Sequence, residues 1–439
     1  MGRLAEISRP WRSLVLALGA LGALVWFAWP RSQTEADFEP SGPVSIHVRV
    51  RPGAQLALGR ALFRHLQGVN ASDPRLRWYE IDVPAGDTGA ELRSLAHDGD
   101  VEEAFVAPDI SLPSVPVEGD SCPITTPSFE AYQEYVGPAP HGIDAPAAWR
   151  RGIRGAGVWF GDIEGNWNAA HEDLPGDRME HVGGVRIPDP SWRAHGTAVL
   201  GEVVGRDNGK GVVGIAPDVD HVVTSSIGGT SVAEAISVAA DRLRPGDVLL
   251  IELQGAGPRH RYLPVEYWDD NFDAIRAATD RGVVVIEAAG NGGENLDHPA
   301  YGRKFDRWQR DSGAIMVGAG GPPRDGFDDR ARLDFSNYGQ RVDVQGWGRK
   351  VATLDYGDLQ RCSGADRHYT GEFSGTSSAS PIVAGAAVLL ESYARSHGPP
   401  MWPTDVRALL RLTGTPQAGG DNEPIGPRPD LARAFAELQ

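Results

Sequence analysis

Apolar and polar positions alternate along the first part of the chain and give way later to longer apolar runs. Alternation typical of half-buried strands covers 44–50, 77–83 and 102–107, and helical spacing covers 56–66 and 89–96. This β-α-β-α-β order predicts a small α+β domain with an antiparallel sheet over residues 44–113. Residues 114–141 begin with a Pro-containing stretch and are expected to form a connector and an N-terminal arm.

From about residue 142 the pattern changes to apolar runs separated by helical segments. Runs that predict buried strands cover 158–162, 248–255, 283–288 and 314–317, and helical spacing covers 231–243, 269–279, 382–390, 401–412 and 429–438. Near-continuous apolar strands are typical of a parallel sheet that is covered on both faces. The sequence therefore predicts a larger α/β domain over 142–439, with its chemistry at the carboxyl edge of the sheet.

Residues 1–30 have the pattern of an export signal. Arg3, Arg9 and Arg12 precede an uncharged apolar run over 14–29, and a positive flank before an apolar core keeps the N-terminus in the cytoplasm. The run fits a cleaved signal peptide or an uncleaved anchor, and the lack of an A-x-A-like site at its end favours the anchor. Residues 31–43 are interpreted as a linker, and the rest of the chain is expected outside the cytoplasm, secreted or anchored.

Composition narrows the range of partners. The 439 residues include 42 Lys and Arg and 59 Asp and Glu, a formal net charge of −17 at pH 7. This charge argues against nucleic acid and against anionic membrane surfaces, so a membrane is expected only through the N-terminal run. Cys122 and Cys362 lack the spacing of a metal or redox pair. In an exported chain a disulfide between them is our hypothesis, pinning the N-terminal arm.

One short stretch of small residues and hydroxyls is the first candidate for catalysis. Gly375 permits a tight approach, and Ser377 falls at a helix start, where backbone N–H groups have no intrahelical partner. A serine placed there is either a helix cap or a nucleophile whose own N–H helps to bind an oxyanion. The second interpretation requires a base and an acid elsewhere in the chain.

Two upstream segments supply such groups. The apolar strand over 158–162 ends in Asp162, and Glu164 lies on the same face two residues later, so Asp162 is expected as the acid and Glu164 is its rival. His195 precedes Gly196 and Thr197 at the start of a helix, and imidazole suits a base because it titrates near neutral pH.

These motifs, in this order, resemble the subtilisin-like serine proteases (subtilases, peptidase family S8). Residues 375–381 resemble the nucleophile signature of the family, His195-Gly-Thr resembles its histidine motif, and the order Asp, His, Ser is the order of the family. The segment after Asp162 departs from the family's Asp-Thr-Gly. The resemblance covers 142 to the C-terminus and implies a three-layer α/β fold with a mainly parallel sheet. It also implies a serine endopeptidase with Asp162, His195 and Ser377 as its triad.

The resemblance implies further site residues as well. Asn291 matches the asparagine that donates to the oxyanion. The positions that it implies for substrate binding are Gln254, Gly255 and Gly290. Glu252 interrupts an apolar run and is expected at solvent, in a polar network or in the cleft, because a buried carboxylate without a partner is costly. Glu287 is a candidate for the substrate pocket, and His171 is expected to be structural.

The expected partners follow from the same likeness. Residues 44–113 resemble, by order and position, the inhibitory pro-domain of subtilases, so the partners are a protein or peptide substrate and this intramolecular segment. No cofactor is required for the chemistry. Structural calcium is known in many subtilases, but no motif here localises it.

Three alternatives stay open at this stage. Glu164 and the Ser-Gly-Thr-Ser context of residues 374–377 also fit a sedolisin-like acid peptidase. The altered segments at Asp162 and Glu252 leave room for a catalytically silent, membrane-tethered binding protein with the same fold. An enzyme kept latent by residues 44–113 is the third.

Overall fold

The computed structural model describes residues 44–51, 63–66, 77–110, 112, 122–419 and 422–439. The predicted export segment 1–30, the linker 31–43 and most of the connector that begins at 114 lie outside these ranges. None of the helices within the ranges combines the length and the apolar character that crossing a bilayer requires.

In its described residues, the first unit consists of a four-stranded antiparallel sheet and one α-helix. Its elements are β1 (Val44–Val50), β2 (Phe63–Leu66), β3 (Trp78–Val83), α1 (Thr88–Ala96) and β4 (Val101–Val106), and the strand order is β2-β3-β1-β4. Ile46, Val48 and Leu95 are fully buried in its small core. The prediction of a helix over 56–66 is wrong for the last four residues. Residues 63–66 form β2 because they pair with β3.

The second unit is built on seven parallel strands in the order β13-β12-β11-β8-β5-β7-β6. These strands are β5 (Trp159–Glu164), β6 (Met179–Gly183), β7 (His221–Ser226), β8 (Val248–Ile251), β11 (Val284–Ala288), β12 (Ile315–Gly320) and β13 (Val344–Trp347). Two short antiparallel pairs accompany the sheet: β9 (Gln254–Ala256) with β10 (Tyr262–Pro264), and β14 (Val351–Leu354) with β15 (Tyr369–Phe373). The predicted mainly parallel sheet is confirmed.

Helices cover both faces of the sheet. They are α2 (Ala145–Trp149), α3 (Pro190–Val204), α4 (Val232–Arg242), α5 (Asp269–Asp280), α6 (Thr376–His397), α7 (Pro403–Thr413) and α8 (Leu431–Glu437). Helices α3 and α6 pack together on one face, whereas α4 and α5 pack together on the other. The layers therefore follow the predicted three-layer α/β arrangement.

Two features of this unit bear on the site. The apolar run over 248–255 is not one strand: β8 ends at Ile251, and Gln254 begins a strand of a different sheet. Cys122 and Cys362 form a disulfide, as predicted, which joins the N-terminal arm to the segment before β15.

Candidate active site

Ser377 lies in the first turn of α6, at the carboxyl edge of the parallel sheet. Gly375 precedes the helix with φ 106°, a backbone conformation that favours glycine. Ser377 is nearly buried, with 3% of its surface exposed. The N–H groups of a first helical turn have no acceptor in a preceding turn of the helix, and one that is free can donate to a developing negative charge.

Asn291 contacts the same helix start. Its side-chain oxygen accepts a hydrogen bond from the Thr376 N–H at 2.9 Å, and its amide nitrogen lies 3.4 Å from the place where a Cβ on Gly375 would stand. The Asn291 N–H in turn donates to Oε1 of Gln254 at 2.8 Å. Two hydrogen bonds, one to Thr376 and one to Gln254, therefore hold Asn291 in place next to the start of the helix that carries Ser377.

His195 is fully buried on α3, and its ring faces Phe373 edge-on with 5.5 Å between the ring centroids. Nδ1 of His195 makes a short hydrogen bond with Oε1 of Glu164. The other oxygen of Glu164 accepts the Gly165 N–H at 3.1 Å. Nε2 has no hydrogen-bond partner within the described part of the chain. The imidazole is therefore oriented by a carboxylate through one nitrogen, and the other nitrogen is left for a proton acceptor role.

The structure does not bring the expected acid, Asp162, against His195. Oδ2 of Asp162 accepts a hydrogen bond from the Trp167 indole N–H at 2.7 Å instead. Asp162 and Glu164 do share a face of β5, as predicted. Glu164 has the longer side chain and stands two residues nearer the carboxyl end of the strand, and it is the residue that reaches the imidazole. Burial, and then the charge of Glu164, raises the pKa of Asp162 well above its usual range.

Glu252 follows β8 and joins this group of acids. Its Oε1 lies 2.7 Å from the Ser380 hydroxyl on α6, which places it in the polar network that was one of its expected locations. Burial is the main cause that raises the pKa of Glu252, the nearby Ser380 and Ser377 oppose the shift, and Asp162 and Glu164 add to it. Glu202 on α3 is also fully buried, and its pKa is raised by burial and by Glu252.

Of the residues expected to bind substrate, Gly255 is covered by the chain itself. Ile110 forms an antiparallel bridge with Gly255, and the Ala256 N–H donates to the Asp109 carbonyl at 3.3 Å. A side chain at position 255 would collide with Trp268 and Pro108. The Gln254 side chain accepts a hydrogen bond from the Asn291 N–H.

The four-stranded unit also contacts α5. Arg49 donates to Asp273 at 3.1 Å, and the Trp78 indole N–H donates to the same carboxylate at 3.1 Å. Nδ1 of His47 lies 2.6 Å from a carboxylate oxygen of Asp270. A cavity of about 860 Å³ opens between the two units, lined by His47, Pro108 and Trp268 among others.

Two other singled-out residues have structural surroundings. His171 places Nε2 2.9 Å from the His368 carbonyl, and burial lowers the pKa of His171 to about 4, as fits its expected structural role. Glu287 accepts the Glu266 N–H at 2.8 Å, and Glu266 pairs with buried Arg341. Glu287 is thus part of a buried ionic network on the α5 side of the sheet.

Comparisons with known proteins agree with this geometry. The model of the subtilase family matches residues 176–426, so the match begins after the strand that carries Asp162 and Glu164. Subtilisin DY from Bacillus licheniformis is 30% identical over 288 residues, covering 62% of this chain and 89% of the relative. The major intracellular serine protease of Bacillus subtilis is 25% identical over 271 residues, covering 57% of this chain and 73% of the relative.

A solved protease structure from Pseudoalteromonas arctica shares the fold, with a TM-score of 0.54 at 21% identity over 72% of this chain and all of the other. The match to the family model spans more than half of the 439 residues. The chain therefore belongs to the subtilase family of serine-type endopeptidases.

Proposed function

We propose that the protein cleaves peptide bonds with Ser377 as nucleophile, His195 as general base and Glu164 as the acid that orients His195. The observation that carries this proposal is the hydrogen bond between Glu164 and Nδ1 of His195, on a histidine whose Nε2 remains without a partner among the described residues. Glu164 takes the role for which Asp162 was expected. A carboxylate on Nδ1 fixes the tautomer whose Nε2 can accept a proton.

The proposed reaction has two stages. Oγ of Ser377 bonds to the substrate carbonyl carbon while Nε2 of His195 takes the serine proton, and the oxyanion is received by the Asn291 side-chain amide and the Ser377 N–H. The C–N bond then breaks as His195 gives its proton to the leaving amine. Water, deprotonated by His195, hydrolyses the acyl-enzyme and restores the serine.

Residues 44–113 are proposed to act as an intramolecular inhibitor. The pairing of Ile110 with Gly255 and the Asp109 contact with Ala256 place the end of this unit along the strand that the resemblance implies for substrate. Main-chain pairing of this kind is how an extended peptide adds to an exposed strand edge. A peptide substrate and this segment would therefore compete for one strand.

Export is proposed on two grounds. The positive flank and apolar run of residues 1–30 have the pattern of a signal peptide or anchor, and the disulfide between Cys122 and Cys362 suits an oxidising compartment. Calcium remains an expectation without a location, since no group of three or more His, Cys, Asp or Glu in the described ranges is arranged to hold a metal ion.

The rival functions make different demands on the site. A silent binding protein needs no oriented imidazole, and the pairing of Glu164 with His195 favours catalysis over it. A sedolisin-like mechanism works without a histidine base, so an enzyme that survives loss of His195 would favour that rival.

The test uses a fluorophosphonate probe on the full chain at neutral pH, before and after limited proteolysis, with peptide mapping of the adduct. We expect labelling at Ser377, loss of labelling in His195→Ala, and retained labelling in Ser374→Ala as the matched control. Labelling that appears only after proteolysis would identify a latent enzyme. No labelling in either preparation would favour the silent binding protein.

A further inference from the structure

Glu252 occupies an unusual position for a carboxyl group. It follows β8, on the face of the sheet that carries Asp162 and Glu164, and 2% of its surface is exposed. The charged groups around it are acidic on the neighbouring strand β5, where they are Asp162 and Glu164, and on α3, where Glu202 lies. His195, held by Glu164, is the ionisable base of this group. A negative charge at Glu252 would be repelled by ionised Glu164, and by Asp162 and Glu202 whenever they are ionised.

The hydrogen bonds of Ser380 indicate which form of Glu252 is present. The Ser380 Oγ lies 2.7 Å from Oε1 of Glu252 and 2.7 Å from the Thr376 carbonyl oxygen. A carbonyl oxygen is only an acceptor, and a serine hydroxyl carries one hydrogen. Because the Thr376 carbonyl takes that hydrogen, the contact with Glu252 is satisfied when the carboxyl group donates. The chain of donors then runs from Glu252 through Ser380 to Thr376.

The same carboxyl group faces the nucleophile. Oε2 of Glu252 is buried and lacks a hydrogen-bond partner in the described ranges, as does Nε2 of His195. Ser377 precedes Ser380 by three residues on α6 and is near enough to the Glu252 carboxyl group to influence its pKa. The single hydroxyl proton of Ser377 thus has two candidate acceptors, and the neutral carboxyl group is much the weaker of them.

We propose that Glu252 is a positioning residue. Its neutral form fixes the first turn of α6 and leaves the Ser377 hydroxyl proton to be taken by His195. Its ionised form accepts a hydrogen bond from the Ser377 hydroxyl, so that this proton no longer points to His195. This inference rests on the proposed function. Ionised Glu252 would also turn the Ser380 hydroxyl away from Thr376 and place a negative charge beside the oxyanion. Reactivity is therefore lost on the alkaline side when Glu252 ionises.

The test measures the second-order rate constant of fluorophosphonate labelling at Ser377 between pH 5 and 10. It uses the full chain, after the proteolysis described above if labelling requires it, and circular dichroism verifies the fold at each pH. For the wild type we expect an alkaline limb that approaches a fall of about tenfold per pH unit, as one ionisation dictates. Glu252→Gln keeps a neutral donor at this site and is expected to lose the limb. Glu252→Ala, which has no donor, is expected to react more slowly across the range.

The matched control is Glu391→Gln. Glu391 is buried on α6, the helix that carries Ser377, and burial raises the pKa of Glu391 to about 8. Its carboxyl group accepts a hydrogen bond from the Met401 N–H and does not contact Ser377. We expect this variant to retain the wild-type limb. A wild type with no limb up to pH 10, an unaltered limb in Glu252→Gln, or a lost limb in Glu391→Gln would overturn the inference while leaving the proposed function intact. No labelling of the wild type at any pH would overturn both.

Discussion

Two carboxyl groups end the same strand, and one of them touches the imidazole. Glu164 bonds to His195 and to the Gly165 N–H, whereas Asp162 bonds to the Trp167 indole. Each oxygen of Glu164 therefore has a donor, while Oδ1 of Asp162 is buried without a partner in the described chain. The two acids have different environments in spite of their shared face, and this difference separates their predicted effects on catalysis.

Replacing each acid by its amide should separate the two roles. We expect Glu164→Gln to lower kcat for casein hydrolysis by about 10⁴, because an amide on Nδ1 favours the wrong imidazole tautomer; the magnitude is borrowed from the corresponding aspartate in another serine protease. Asp162→Asn preserves an acceptor for Trp167 and is expected to lower kcat less than about tenfold. The reverse ranking would restore Asp162 as the acid.

The sequence contained a signal for Glu164 that the motif at the strand end obscured. With Asp162 as the acid, His171 and Asp173 stand two residues later than the family spacing, and taking Glu164 instead removes that offset. Ser377, His195 and Asn291 could be proposed from the sequence because each stands in a short local motif: Ser377 at the start of α6, His195 on α3 and Asn291 in the segment after β11. The role of Gln254 could not, since it depends on a contact between two loops distant in sequence.

At the scale of elements, α6 carries the proposed nucleophile at one end and a buried acid near the other. Burial raises the pKa of Glu391 from 4.5 to about 8. The folded state therefore holds a proton that the unfolded state releases, and stability falls as pH rises from about 4.5 through about 8. The slope contributed by one such group is at most about 1.4 kcal/mol per pH unit.

Glu391→Gln should remove this part of the pH dependence. We expect the free energy of unfolding of the wild type, from urea titrations, to fall more between pH 5 and pH 8 than that of the variant. Glu437→Gln, at the exposed end of α8, serves as the control and should follow the wild type. Equal slopes in wild type and Glu391→Gln would show that Glu391 does not titrate in this window.

The disulfide should contribute to stability through the unfolded chain. Cys122 and Cys362 are 240 residues apart, and closing so long a loop removes much conformational freedom from the unfolded state. We expect Cys122→Ala to lower the free energy of unfolding by about 2–5 kcal/mol, with Cys362→Ala and the double variant equal to it. Additive losses would mean that each cysteine acts through its own packing instead.

Element prediction succeeded where a pattern was long and local. The period of α4, α5 and α6 identified these helices because an amphipathic or small-residue face continues over several turns. It failed at 63–66, where pairing with β3 decides the conformation, and at 252–253, where the chain leaves one sheet before joining another. Neither pairing can be inferred from a short apolar run alone.

At the scale of the whole molecule, the contact between the two units includes a pair of acids. Glu103 on β4 and Asp269 on α5 are near enough for the two carboxyl groups to influence each other's pKa, and Arg49 and Lys304 are nearby. Burial, and then Asp269, raises the pKa of Glu103 to about 8. The docked state thus holds a proton, so docking should weaken as pH rises from about 4.5 through about 8, by up to about tenfold per pH unit.

This coupling can be measured after a protease has cut the connector before Cys122, where the disulfide does not hold the two units together. We expect the four-stranded unit to remain bound in gel filtration at pH 6 and to separate more readily at pH 9. Glu103→Gln should remain bound at both values because it cannot ionise. Glu102→Gln changes the neighbouring carboxylate, which pairs with Arg49 at 3.4 Å, and should behave as the wild type. Retention of the wild-type unit at pH 9 would contradict the prediction.

The change of pattern near residue 142 predicts two units, but nothing in the sequence predicts the way in which they meet. Their contact depends on Arg49, Trp78 and Asp273, which are polar or aromatic positions on surfaces that a single sequence does not mark as facing each other. The parallel sheet, in contrast, follows from apolar runs that only burial on both faces can satisfy.

The position of Cys122 divides the connector into two zones with opposite outcomes on cleavage. A cut before Cys122 leaves no covalent link between the four-stranded unit and the catalytic unit, so the first can diffuse away. A cut between Cys122 and α2 leaves the two fragments joined through Cys362, and they would separate on an electrophoresis gel only after reduction. The disulfide thus makes release of the four-stranded unit depend on which side of one residue the chain is cut.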